Sequence, residues 1–223
     1  MKKSLLIFDL DGTLIDSVPD IATAVAAMLG KLGVTLDDLD RVRNWVGNGS
    51  LNLTARALAW AKLPCDEESL HHAHQLFLVS YQTCAFDKTV AYDGVIAGLD
   101  DLHKAGFTLA IATNKPARFV PEILAGLGIG DKFALVLGGD SLPVKKPDPA
   151  PLLHICETLG FDKTQAIMIG DSKNDVQAGQ NAGITTLALT YGYNYDEPIV
   201  HSNPDAVFDG FAELSQFILQ KFA

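Results

Sequence analysis

A chain of 223 residues, 48% hydrophobic and 20% charged, has the composition of an ordinary soluble globule and is long enough for one domain carrying an insertion. Its 17 basic against 27 acidic residues leave a net charge of −10, which argues against nucleic acid or an acidic membrane face as a partner. An anionic ligand must then find its positive charge locally. Cys65, Cys84 and Cys156 stand at scattered spacing that suggests neither a disulfide framework nor a zinc site, so a reducing, cytoplasmic setting is expected.

The first element is Leu5-Leu6-Ile7-Phe8, an apolar run that reads as a buried strand. Lys2-Lys3 ahead of it imitates the start of a signal peptide, but Asp9 and Asp11 interrupt the run far too early, and no stretch reaches the roughly 18 apolar residues of a membrane span. Asp9-Leu10-Asp11-Gly12-Thr13 puts two carboxylates, a turn-permitting glycine and a hydroxyl where that strand ends. Taken alone, the pattern suits a plain turn as well as a reactive site.

From Ser17-Val18-Pro19-Asp20 the pattern becomes helical, with Ile21, Ala24, Val25, Met28 and Leu29 on one face and a stop near Gly30 or Gly33. Asp37-Asp38 opens a second helical stretch through Trp45, which Gly47-Asn48-Gly49 breaks. Ser50 suits the cap of a third helix, closed by Pro64, and Asp66-Glu67-Glu68 begins a fourth that runs to about Cys84. Residues 15–87 are therefore expected to form an all-helical domain inserted after the first strand. His71, His72 and His74 read as a solvated face of its last helix, and Trp45 and Trp60 as part of its core.

Beyond Asp93-Gly94-Val95 helices and strands alternate. Helix 96–105 precedes strand 107–112, helix 119–127 precedes strand 134–137, helix 151–159 precedes strand 166–169, and helix 175–182 precedes strand 185–189. With the opening strand this makes about five, the signature of an α/β fold with a Rossmann-like, doubly wound parallel sheet built from residues 1–14 and 88–223. Phe208, Phe211, Leu214, Phe217, Ile218 and Phe222 form an apolar stripe that reads as a packed terminal helix.

Ligands of such sheets bind outside the carboxyl ends of the strands. Asp9 and Asp11 stand at the first of those ends and Thr113-Asn114-Lys115 at the second. Gly170-Asp171-Ser172 follows the fourth strand, with Asp175 one helical turn on, and Lys145-Lys146-Pro147-Asp148-Pro149 is a proline-stiffened loop before a helix. Thr113-Asn114 also suits a cap for the helix after Pro116, and Asp175 suits an acidic first turn.

Asp9-Leu10-Asp11-Gly12-Thr13, Thr113, Lys146 in Lys-Pro-Asp-Pro, and Gly170-Asp171-Ser172-Lys173-Asn174-Asp175 together resemble, in order, the four motifs of the haloacid dehalogenase superfamily phosphatases. The helical insertion after the first motif is similar to that superfamily's cap. The resemblance implies a phosphatase dependent on Mg²⁺ in which Asp9 attacks phosphorus to form an aspartyl-phosphate, while Asp11 protonates the leaving alkoxide and later takes a proton from water. It implies that Asp9, Asp171 and the backbone carbonyl of Asp11 hold the metal. Gly12, Thr13, Thr113, Asn114 and Lys146 would cradle the phosphate, with Asp175 and Ser172 supporting from behind. Lys145 competes with Lys146 for its role. Charge makes a similar demand independently: Asp9, Asp171, Asp175 and a phosphate of about −2 cannot crowd together without cations.

Trp45-Val46-Gly47-Asn48-Gly49, Thr113-Asn114-Lys115-Pro116, Gly138-Gly139-Asp140 and Thr190-Tyr191-Gly192-Tyr193-Asn194 are similar to the superfamily's bacterial phosphoglycolate phosphatase branch. That implies a small phosphorylated carboxylic acid, 2-phosphoglycolate, as substrate. Gly47, Asn48 and Gly49 are expected to meet it, helped by a cap cation, Arg56 or Arg43. The alternatives are another cap-bearing phosphatase or a sugar-phosphate mutase of the same superfamily, and a phospho-receiver signalling module, against which Asp11 and the long helical insertion argue. No nucleic-acid or membrane partner is expected, and the chain is read as a monomer or homodimer.

Overall fold

Leu5–Phe8 forms β1, and all four of its side chains are fully buried, which requires cover on both faces and a central place in a parallel sheet. The structure, a computed structural model, describes residues 4–222; the Lys2-Lys3 pair lies outside the described residues. After β1 come the short β2 (Ile15–Asp16), then α1 (Val18–Lys31), a 3-10 helix (Asp40–Trp45), α2 (Ser50–Ala61) and α3 (Glu67–Gln82). β3 (Val90–Ala91) pairs antiparallel with β2, so the helical segment leaves and returns through a two-stranded neck.

The alternating half follows as α4 (Val95–Lys104), β4 (Thr108–Ala112), α5 (Val120–Gly126), β5 (Phe133–Leu137), α6 (Ala150–Leu159), β6 (Ala166–Gly170), α7 (Lys173–Ala182), β7 (Thr185–Leu189), β8 (Ala206–Phe208) and α8 (Phe211–Phe222). Six strands pair in parallel in the order β5-β4-β1-β6-β7-β8. Counted along the chain this is 3-2-1-4-5-6, the doubly wound order whose reversal at β1 opens a crevice at the carboxyl ends of β1, β4 and β6. Register fixes what meets there: Phe8 lies between Ile111 and Ile169, so the residues after all three emerge side by side.

Alternation along each strand feeds two cores. Leu6, Phe8, Leu109, Ile111, Ile167 and Ile169 pack with Leu99, Ile123, Phe211 and Leu214 from α4, α5 and α8. Leu5, Ile7, Ala110 and Met168 pack on the other face with Leu152, Ile155 and Ala178 from α6 and α7. The helical segment has a core of its own, including Val25, Met28, Trp45, Leu58 and Phe77, reached from the sheet side by Phe119 and Tyr193.

Three details differ from the sequence reading. The sheet has a sixth strand, β8, whose three residues sit at the sheet edge and carry too short a pattern to announce themselves; Phe208 belongs to it, and the terminal helix begins at Phe211. The segment after Asp37-Asp38 becomes regular only at Asp40, as a 3-10 helix. Gly49, not Ser50, occupies the cap position of α2, and the Ser50 hydroxyl instead bonds His74 Nε2 at 2.8 Å. Cys65, Cys84 and Cys156 are all free thiols, and no described helix is long and apolar enough to cross a membrane.

Candidate active site

The ends of β1, β4 and β6 bring Asp9, Thr113 and Asp171 together, and Lys146 reaches them from the loop before α6. Lys146 Nζ lies 3.0 Å from Asp9 Oδ1 and 2.6 Å from Asp175 Oδ1, with all three side chains buried. Burial opposes a charged lysine, yet Asp175 and Asp9 together hold this ammonium above its usual range. Lys145 is half-buried and sends its Nζ toward Gly49 instead.

Asp175 is fully occupied. Besides Lys146 it accepts from the Ser172 hydroxyl at 2.7 Å and the Ser172 N–H at 3.0 Å, closing the box that starts α7. Asp171 is held at both oxygens, by the Thr13 hydroxyl at 2.6 Å and the Tyr193 N–H at 2.6 Å. Gly12, at φ +90°, lets the turn pass against that carboxylate: a Cβ there would sit 2.8 Å from the Asp171 carboxyl carbon.

Asp9 differs from its neighbours because its buried Oδ1 has no well-directed hydrogen bond. Burial pushes its carboxyl up to about 7 despite the Lys146 ammonium, with Asp175 and Asp11 adding to the rise. Burial, then Asp175 and Asp9, likewise pushes Asp171 well above the ordinary carboxylate range. Oxygens of Asp9, Asp171 and Asp175 lie within 4.8 Å of one another. An under-bonded carboxylate oxygen among buried acids fits a hard divalent cation, which takes oxygen ligands and relieves the like-charge cost. Since Asp175 is spent on Lys146 and Ser172, Asp9 and Asp171 are the carboxylates with capacity to hold it.

Several expected residues sit elsewhere. The Thr13 hydroxyl faces Asp171, and the Gly12 and Thr13 N–H groups are used inside the turn by Ile15 O at 2.9 Å and Leu10 O at 3.3 Å, so this turn offers a phosphate neither the hydroxyl nor those two N–H groups. Asn114 is a strut: its Nδ2 donates to Lys146 O and to Gly47 O, both at 2.9 Å, tying the helical segment to the sheet. Arg56 gives one guanidinium nitrogen to Trp45 O and one to Asn48 Oδ1, both at 2.8 Å, which braces the Gly47–Gly49 loop from outside. Arg43 lies over the Tyr193 ring and pairs with Asp16 at 3.5 Å. Neither arginine lines the cavity over Asp9.

That cavity, about 50 Å³, is lined by Asp9, Asp11, Thr113, Asn114, Lys115 and Pro116 below and by Ile21, Val46, Gly47, Gly49, Ser50, Leu53, Phe77 and Tyr81 above. Its size suits a ligand of few atoms. Asn48 turns from the cavity toward Tyr195 and Arg56. Asp11, the second acid of the first motif, has its Oδ1 held by Lys115 Nζ at 2.9 Å and the Ser17 hydroxyl at 2.5 Å. Lys115 and Tyr193 had no catalytic or binding role assigned from the sequence, although Lys115 stands at a strand end; Ser17 suits a polar cap of the first helix, but its hydroxyl makes no cap bond and goes to Asp11 instead.

Residues 6–189 match the model of the haloacid dehalogenase-like hydrolase family, and the chain belongs to that family. Within it, the chain is 55% identical to the phosphoglycolate phosphatase of Psychrobacter arcticus, over 100% of this chain and 98% of that one, and 48% identical to the phosphoglycolate phosphatase of Colwellia psychrerythraea, over 96% of each. A crystal structure from Haemophilus somnus, described as a predicted phosphoglycolate phosphatase, superposes with a TM-score of 0.92 at 37% identity, covering 97% of this chain and 98% of that one.

Proposed function

We propose that the chain hydrolyses 2-phosphoglycolate to glycolate and phosphate, with Mg²⁺ and through an aspartyl-phosphate on Asp9. The chain is a phosphoric monoester hydrolase. The observation that carries the finer reading is Asp9 itself: a buried carboxylate with an under-bonded oxygen, facing a small cavity and beside Lys146.

A phosphate monoester repels nucleophiles with its own charge, so catalysis consists of positioning and neutralisation. Lys146, fixed by Asp175, supplies one positive charge beside Asp9. When bound by Asp9, Asp171 and the Asp11 carbonyl, Mg²⁺ would supply two more and keep Asp9 ionised. Asp9 then attacks phosphorus in line with the ester oxygen. Asp11 gives that oxygen a proton and takes one back from the water that cleaves the aspartyl-phosphate, while the Thr113 hydroxyl steadies the phosphoryl oxygens. Residues 15–87 act as a cap over a core of residues 1–14 and 88–223, excluding bulk water with Ile21, Leu53 and Phe77 and setting the substrate's size. The enzyme works in the cytoplasm.

The test is a panel of small phosphate esters assayed for kcat/KM with Mg²⁺ and with EDTA. The expected result is a clear preference for phosphoglycolate that EDTA abolishes. Preference for a sugar phosphate, or turnover indifferent to EDTA, would overturn the substrate or the metal respectively.

A further inference from the structure

The cavity over Asp9 has an unexplained cation. Among the described residues, Lys115 is the one positive side chain that lines it, and it is buried, 5% exposed. Its ammonium faces the Asp11 carboxylate, 2.9 Å away, and a lysine so paired enters the cavity charged. Of its three N–H donors one is spent on Asp11 Oδ1. Its other neighbour is the face of the Tyr81 ring, 4.8 Å from Nζ.

Tyr81 supplies a second, independent observation. It is 2% exposed, lines the same cavity, and its buried hydroxyl makes no well-formed hydrogen bond. Stacking on Phe77, with ring centroids 5.6 Å apart, and edge contact with Phe119 at 4.8 Å leave the ring little freedom to seek another partner. A buried hydroxyl left unpaired is costly, and native structures keep such a group mostly where something else completes it. Burial has pushed this phenol up to about 12, so it is a donor.

A spare ammonium donor and a phenol without a well-formed hydrogen bond, side by side beneath the apolar wall of Ile21, Val46, Leu53 and Phe77, are complementary to a carboxylate. Asp9, with Lys146 behind it, marks the phosphoryl end of the cavity. We propose that Lys115 Nζ and Tyr81 Oη form the subsite for the substrate's carboxylate and set the preference for a carboxylated phosphate ester. The positive charge thus comes from the core strand end after β4, and the cap contributes a neutral donor from α3. The proposal rests on the substrate reading above.

The experiment compares kcat/KM for phosphoglycolate with that for ethyl phosphate, which has a methyl group in place of the carboxylate, in wild type, Lys115→Met and Tyr81→Phe. Damage to Asp11 or to the fold slows both esters and cancels in the ratio. The wild type should prefer phosphoglycolate; Lys115→Met should cut that preference roughly 100-fold, and Tyr81→Phe about tenfold. Because the Tyr81 hydroxyl makes no well-formed hydrogen bond in the free protein and Phe keeps the ring packed on Phe77 and Phe119, Tyr81→Phe should melt within a few degrees of wild type, which keeps the test open if Lys115→Met folds poorly. A wild type without preference overturns the substrate reading and the subsite together. A wild-type preference retained by both variants overturns the subsite alone.

Discussion

The strand ends and the helical segment face each other across one small cavity and are built on opposite plans. Below, the walls are charged or polar apart from Pro116, and nearly every group around them is tied: Asp171 to Thr13 and Tyr193, Asp175 to Ser172, Lys146 to Asp175, Asp11 to Lys115. Above, the walls are Ile21, Val46, Leu53 and Phe77, glycine backbone, and two hydroxyls, that of Ser50 bonded to His74 and that of Tyr81 without a well-formed hydrogen bond. Fixed charges cost no reorganisation when a phosphoryl group arrives, and apolar walls exclude the water that would screen them. On the proposed reading, the difference assigns the reaction to the sheet and enclosure and size to the helices, with Tyr81 the one helical donor to the substrate.

The division is most exposed to failure at Asp9. Asp9→Asn should lower kcat by at least about four orders of magnitude while leaving the fold intact, since it removes the proposed nucleophile together with a metal ligand and a counter-charge of Lys146; a slow but easily measured rate in a verified Asn protein would refute the assignment. Next in size, Lys146→Met should cost about 10² to 10³ in kcat, because Asp175 and Asp9 lose their shared counter-charge. An effect confined to KM would contradict it.

Metal removal sharpens the same point through stability. An acid that folding pushes from 3.8 to about 7 takes up a proton on folding, so its contribution is least unfavourable at low pH and worsens as pH rises through that window. In EDTA, Asp9→Asn should therefore gain a few degrees in melting temperature over wild type between about pH 4 and pH 7. Mg²⁺ at pH 7 should then raise the wild type more than the variant. A gap that stays flat with pH would show that Asp9 is not held against its charge.

The smallest effect belongs to the upper wall. Arg56→Gln should raise KM only a few-fold with kcat nearly unchanged, since Arg56 braces Trp45 and Asn48 from outside. A loss of 100-fold or more would mean that the helical segment does supply charge to the substrate.

The same contrast governs what could be read from the sequence. The placing of the acids was legible because an apolar run fixes where a strand stops, and parallel pairing gathers those stops at one edge, with Asp9 and Asp171 at two of them and Asp175 one helical turn on; their roles came only from the resemblance of the motifs. Lys115 was not, because a lysine between asparagine and proline has the composition of an exposed loop. Only the pairing of β4 with β1 sets it against Asp11, and only the packing of α3 lays Tyr81 over it. The Thr13 hydroxyl and the Asn114 amide take directions the sequence did not show for a related reason: a motif names a residue's neighbourhood, and where its side chain points is decided by tertiary partners, here Asp171 for Thr13 and Gly47 and Lys146 for Asn114. Arg56 looked like a ligand cation because nothing local shows that the Trp45 carbonyl would claim it. β8 escaped because three residues at a sheet edge carry almost no periodicity.

The central claim is that an aspartate of the sheet, rather than a water molecule, attacks phosphorus. The most direct measurement is the stereochemical course at phosphorus for a phosphorothioate ester made chiral with oxygen isotopes and hydrolysed in isotopically labelled water. Two successive in-line displacements, first by Asp9 and then by water, give net retention of configuration. Net inversion would mean a single direct attack by water and would contradict the account.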